Sequence, residues 1–181
     1  MKKLTFALSF FLILLFSFKN ENKKFPEMIG EKLDGTQLVL PKDLKGKFSL
    51  LVLAYSQKAE ADLKTWQLPL YNKFIAKPKA GSTFAFSTYD INLLFVPMFS
   101  GVNQTAEGQA KKKMKAELDL EMQKHFMIFK GNSKLIKEQL SMSEKDLPYL
   151  FLLNKEGDIV YKTSGSFSQT KMGGIEDNIE D

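Results

Sequence analysis

Residues Phe48 to Trp66 read FSLLVLAYSQKAEADLKTW, and two structural periods meet inside them. Phe48 to Tyr55 is a continuous apolar run of strand length, the pattern of a central strand covered on both faces rather than one half exposed. From Gln57 the spacing changes: Ala59, Leu63, Trp66, Leu70 and Phe74 recur at intervals of three or four, one stripe of an amphipathic helix. Pro69 lies inside that stripe and removes a backbone donor, so the helix is expected to kink or restart near Leu68. Ser56 falls at the strand-to-helix turn, where its hydroxyl can cap the helix, and Glu60 follows near the positive end of the helix dipole.

Working outward toward the C-terminus, Thr83 to Asp90 is read as a second central strand with Phe84 and Phe86 on one face. Asn92 to Asn103 is apolar but carries Pro97 and Gly101, and receives no assignment. Gln104 to His125 reads as a second helix with Met114, Leu118, Met122 and His125 or Phe126 on one side, followed by a short strand at Phe126 to Phe129. A short helix over Asn132 to Leu140 is capped by Asn132 or Ser133. Tyr149 to Leu153 and Ile159 to Thr163 flank NKEGD as two strands flank a glycine-containing hairpin loop. Gln169 to Ile179 is expected as a closing helix, weakened by Gly173 and Gly174. Toward the N-terminus, Gln37 to Leu40 is a short strand after a turn at Leu33-Asp34-Gly35-Thr36.

The first 24 residues are of another kind. Two lysines precede an uncharged apolar run from Leu4 to Phe18, and a polar stretch closes it. That run has 15 residues, where a helical bilayer crossing takes roughly 20, so residues 1–24 are expected to be a cleaved signal peptide, or an anchor, with a polar spacer. Residues 25–181 then form one domain, in an exported protein that is periplasmic or otherwise extracytoplasmic and tethered through residues 4–18 if the leader stays. Without those 24 residues the chain keeps 21 basic and 20 acidic side chains, and all the basic ones are lysine. A nearly neutral domain without guanidinium groups is a poor reader of nucleic acid.

The 181 residues contain no cysteine. Disulfide exchange, peroxide reduction at sulfur and thiolate metal sites all need a thiolate, so thiol oxidoreductase and peroxidase activities are excluded. An exported chain without disulfides must be held by packing, and a core rich in Phe, Leu and Ile gains roughly 25 cal/mol for each Å² of apolar surface buried.

Taken in order, Phe25-Pro26, Leu33-Asp34-Gly35, Leu44-Lys45-Gly46-Lys47 before the buried strand, the long helix, Leu147-Pro148 before a hairpin strand and Asn154 to Asp158 in its turn resemble the thioredoxin-like superfamily, in its peroxiredoxin and membrane-tethered thiol oxidoreductase branches. The resemblance implies an α/β fold with a central mixed sheet flanked by helices. It places the family's cysteine pair at Ala54 to Glu60, where Ser56, Gln57 and Ala59 stand instead. It also implies that Pro148 matches the family's cis-proline, which presents backbone to bound peptide. From Lys45 through Ser56, Ala59-Glu60 and Trp66 to Pro69 the chain is similar as well to the cysteine-free mitochondrial assembly factor for the ATP synthase membrane sector, which implies a non-redox assembly or chaperone-like role.

Two classes of function compete with partner binding. An enzyme would use Ser56 as nucleophile with His125, the one histidine, as base; a structural envelope protein would have the groove filled by side chains. His125 with Met122 and Met127 could form a soft copper site, but methionines at helical spacing are read as core fillers, and no metal or cofactor is assigned. Lys111, Lys112, Lys113 and Lys115 are read as a solvated helix face, balanced by Glu117, Asp119 and Glu121, in preference to a lipid contact. Trp66 is expected in the core. The expected site is therefore a groove for a protein or peptide partner, formed by Tyr55, Ser56, Gln57 and Lys58 on one bank and Leu147, Pro148 and Tyr149 on the other.

Overall fold

The computed structural model describes residues 23–76, 89–99 and 104–179. The apolar run becomes strand β4, Phe48–Ala54, with all seven residues buried. Before it come β1 (Lys23–Lys24), β2 (Met28–Lys32), β3 (Gln37–Leu40) and a 3₁₀ turn at Lys42–Leu44. After it come helix α1 (Gln57–Phe74), β5 (Ile91–Pro97), α2 (Gln104–Glu117), α3 (Leu120–Gln123), β6 (Met127–Phe129), α4 (Ser133–Gln139), the hairpin β7 (Tyr149–Leu153) and β8 (Asp158–Ser164), and α5 (Gln169–Glu176).

Five strands form the central sheet in the order β1-β8-β7-β4-β5. β4 runs parallel to β5 and antiparallel to β7, so the sheet is mixed. The parallel pair requires a crossover, and α1 supplies it. A smaller sheet, β3-β2-β6, lies beside it, linked through parallel bridges of Phe95 with Phe126 and Met98 with Phe129.

Alternation along each central strand builds two cores. Leu50, Val52, Leu93, Phe95, Leu150 and Leu152 face α1 and α5. Leu51, Leu53, Leu94, Val96, Phe151 and Leu153 face the second sheet and α4. Cover on both faces is why β4 and β7 read as unbroken apolar runs.

The structure departs from the sequence reading at several elements. Helix α1 runs through Pro69 without restarting, and its buried residues are the five of the predicted stripe. Anchoring on both sides of Pro69 outweighs the one lost backbone donor. The strand that pairs parallel with β4 is Ile91–Pro97, all but its first residue inside the Asn92 to Asn103 stretch; Pro97 ends it on the outer flank, where a missing donor is tolerated. Of the strand expected over Thr83 to Asp90, residues 83–88 lie outside the described residues, and Tyr89 and Asp90 are not in a strand. The helix expected over Gln104 to His125 breaks at Asp119, whose carboxylate accepts from the Met122 amide at 2.8 Å and starts α3 afresh. Lys23 and Lys24, placed in the spacer by sequence, pair with Ile159 and Asp158 of β8.

Glycine in α5 serves packing. A Cβ at Gly174 would meet the Tyr161 ring, whereas one at Gly173 would meet nothing within 4 Å. Among the described residues no helix is long and apolar enough to cross a membrane.

Candidate functional site

The residues expected to form the groove lie at the C-terminal end of β4 and the start of β7. Ser56 is in extended backbone geometry and caps α1, accepting from the Ala59 amide at 3.0 Å. The same hydroxyl donates to Asp146 Oδ1 at 3.3 Å, and Lys58 Nζ reaches Asp146 Oδ2 at 3.4 Å. These contacts join the start of α1 to the loop before β7, 88 and 90 residues further along the chain. The seven expected residues therefore do come together.

They do not all reach solvent. Tyr55, Pro148 and Tyr149 are buried, Ser56 and Leu147 are half-buried, and Gln57 and Lys58 are exposed. Both tyrosines brace the loop from below: Tyr55 donates from its hydroxyl to the Met142 carbonyl at 3.0 Å, and the Tyr149 hydroxyl accepts from the Glu144 amide at 2.7 Å. Burial, followed by the neighbouring Tyr149, Glu144 and Asp146, pushes the Tyr55 phenol above its usual 10.0, so it stays a neutral donor at physiological pH.

The backbone at Pro148 is also engaged. Its carbonyl accepts from the Gly165 amide at 2.9 Å, and the Leu147 amide donates to the Glu144 carbonyl at 3.4 Å. Gly165, at φ 85°, in turn offers its own carbonyl to Trp66 Nε1 at 2.8 Å. Trp66 is thus a core residue, as its place in the stripe implied, that also ties α1 to the Pro148 loop. The cis bond implied for Pro148 is corrected by the structure: Leu147–Pro148 is trans, and the cis peptide is Leu40–Pro41. The Leu147 amide and the Pro148 carbonyl are thus taken by Glu144 and Gly165 and are not free for a bound peptide.

His125 does not join Ser56. Its Nδ1 is 3.1 Å from the Leu93 carbonyl, opposite Leu50 in the sheet and six residues before Ser56, roughly 20 Å along an extended chain. Since Leu93 offers only an acceptor, Nδ1 carries the proton and Nε2 is left bare, buried and without a hydrogen-bond partner among the described residues. Burial pushes the imidazole below its usual 6.5. Ser56 therefore has a carboxylate beside it but no histidine base, and the Ser56–His125 enzyme is not assembled. Of the lysine run, Lys111 pairs with Glu31 and Lys113 with Glu117, while Lys112 and Lys115 are exposed.

Asp146 is the site residue that sequence reasoning missed. It stands far from Ser56 in sequence, and nothing in KDLPY marks it except its place two residues before Pro148.

A parallel β4–α1–β5 unit followed by an antiparallel hairpin, with a capped helix start packed beside the loop before β7, defines a thioredoxin-like domain, here without cysteine. The family model described as ATP10 protein matches residues 16–176, and the chain belongs to that family of ATP synthase assembly factors. No curated protein matches it. Among solved structures, the exposed lipoprotein thioredoxin Etrx1 of Streptococcus pneumoniae superimposes with a TM-score of 0.52 at 20% identity, covering 84% of this chain and 99% of that one. A thiol:disulfide interchange protein DsbE from Chlorobium tepidum gives 0.54 at 15% identity, covering 87% and 94%. BsSco, a member of the Sco family of cytochrome c oxidase assembly proteins, gives 0.55 at 15% identity, covering 87% and 92%. At these identities the likeness establishes the fold.

Proposed function

We propose that this chain is a redox-inactive assembly or chaperone-like protein that binds a protein or peptide partner at the surface formed by Ser56, Gln57, Lys58 and Leu147. The observation that carries this reading is Asp146 bridging Ser56 and Lys58, which holds the two banks side by side without sulfur. Membership of the ATP10 protein family supports an assembly role. The apolar run at residues 4–18 behind two lysines supports an exported location, periplasmic or otherwise extracytoplasmic, with that run as a tether if uncleaved. The cap at Ser56 and the loop contacts keep the surface in one arrangement, which lowers the ordering cost on binding.

The test is to replace Gln57 and Leu147 together by arginine and compare the proteins that co-purify with the full chain. Both positions reach solvent, so the fold is expected to tolerate the change. Loss of one or more specific partners is expected; an unchanged set would turn the reading toward a structural envelope protein.

A further inference from the structure

We propose that the partner segment recognised here is acidic, its carboxylates seated in a lysine-lined hollow beside Ser56; this deepens the groove reading above and rests on it. The hollow has a volume of ≈ 480 Å³, with Tyr55 and Met142 among its lining residues. Lys134 and Lys137 of α4 and Lys145 of the following loop line it together with Glu138; Glu144 and Asp146 flank Lys145 and also act on Tyr55, and Asp146 is already paired with Lys58.

Lys134 and Lys145 form no ion pair among the described residues. The Lys137 ammonium stands 4.5 Å from the centre of the Tyr55 ring, an arrangement that orients the charge before any ligand arrives. Three ammonium groups around one hollow repel one another, and a carboxylate placed among them relieves that repulsion. The wall is rigid. Helix α4 ends with the Met142 amide on the Lys137 carbonyl at 2.8 Å and the Ser141 amide on that of Glu138 at 3.1 Å, a paired closure that fixes the last turn. Lys162 Nζ then takes the Leu140 and Ser141 carbonyls at 2.8 and 2.9 Å.

Continuity with the groove is covalent on both banks. Tyr55 precedes Ser56, and Lys145 precedes Asp146, whose own charge is held by Lys58. A segment crossing Ser56 and Leu147 would meet the hollow through Tyr55 and Lys145, its lining residues nearest to them in the chain. A side-chain carboxylate on a single segment can enter such a hollow, whereas lipid headgroups held in a plane would meet only its rim.

The test uses the purified full chain and a fluorescent ten-residue peptide of alternating Asp and Ser, compared with its Asn and Ser counterpart by anisotropy at low salt. The acidic peptide is expected to bind about tenfold more tightly, with the difference shrinking as salt screens it. Lys134→Glu with Lys145→Glu, both at exposed positions, is expected to abolish the preference, while Lys112→Glu with Lys115→Glu on α2 leaves it intact. Equal affinity for both peptides, no binding of either, or equal loss in the two double variants would overturn the proposal. So would binding of phosphatidylserine vesicles but not of the peptide, lost in the Lys134/Lys145 variant, which would assign the hollow to a lipid surface. If both peptides bind equally and both are lost on Leu147→Arg, the groove stands and only its charge preference fails.

Discussion

Ser141 is the one non-glycine residue at positive φ among the described residues, at 52°, and it closes α4 in the position that usually favours glycine. A left-handed residue with a Cβ is strained by about 1 kcal/mol, so Ser141→Gly is expected to raise the denaturant midpoint slightly, the gain being trimmed by the greater freedom of glycine in the unfolded chain. Ser56→Ala should act in the opposite direction, lowering stability by about 1 kcal/mol through loss of the cap. Its effect should also be larger than that of Lys58→Ala, because Lys58 contributes only an exposed ion pair. Chemical denaturation of the three variants checks both statements. At this scale the sequence was readable where a residue acts on its own neighbours: Ser56 sits before a helical stripe and announces a cap. Asp146, Gly165 and Met142 act on Ser56, Trp66 and Tyr55 across some 90 to 100 residues of chain, and no local pattern records such partners.

Helix α5 separates two glycines that look alike in sequence. Gly173 is open to a side chain, so Gly173→Ala should stabilise the protein by up to about 1 kcal/mol through helix propensity. Gly174 faces the Tyr161 ring, and Gly174→Ala should lose stability in the same thermal scan. Elements α2, β2 and β6 meet at Glu31, which accepts from Lys111 and, at 2.7 Å, from Lys130. Hydrogen bonds from these ammonium groups hold its carboxyl down from 4.5 to about 2. A depressed carboxyl contributes stability that is complete above about pH 4.5 and lost as pH falls through about 2. His125, pushed below 6.5 by burial, adds an earlier loss, since the unfolded chain takes up its proton first as pH drops below 6.5. Thermal midpoints followed against pH should therefore fall from 6.5 downward, and Glu31→Gln should flatten the segment between 4.5 and 2 while leaving the earlier one. Elements covered on both faces, β4 and β7, and the stripe of α1 were legible because burial writes itself into composition. Strand β2 and the break at Asp119 were not, because short half-exposed elements are decided by neighbours that only the folded chain supplies; β5 is buried at six of its seven residues, but Pro97 obscured its strand pattern.

The whole molecule combines the architecture of a disulfide-handling domain with a sequence free of cysteine. Its central sheet orients two ends differently. At one end, β4 and β7 deliver Tyr55 and Tyr149 beneath the Ser56–Asp146 junction; at the other, the hairpin after β7 carries Glu156 beside the start of β4, where the Gly46 amide bonds the Lys155 carbonyl. If the first end is a partner-binding surface, contact with other proteins must be concentrated there. The most direct measurement is site-specific photo-cross-linking in the producing cell, with a light-activated residue placed at Gln57 in one strain and at Glu156 in another, both exposed positions. A discrete cross-linked product from Gln57, missing from Glu156 and diminished by Leu147→Arg, is the expected outcome. Equal products from the two ends, or none from Gln57, would contradict a partner-binding surface concentrated at this end of the sheet.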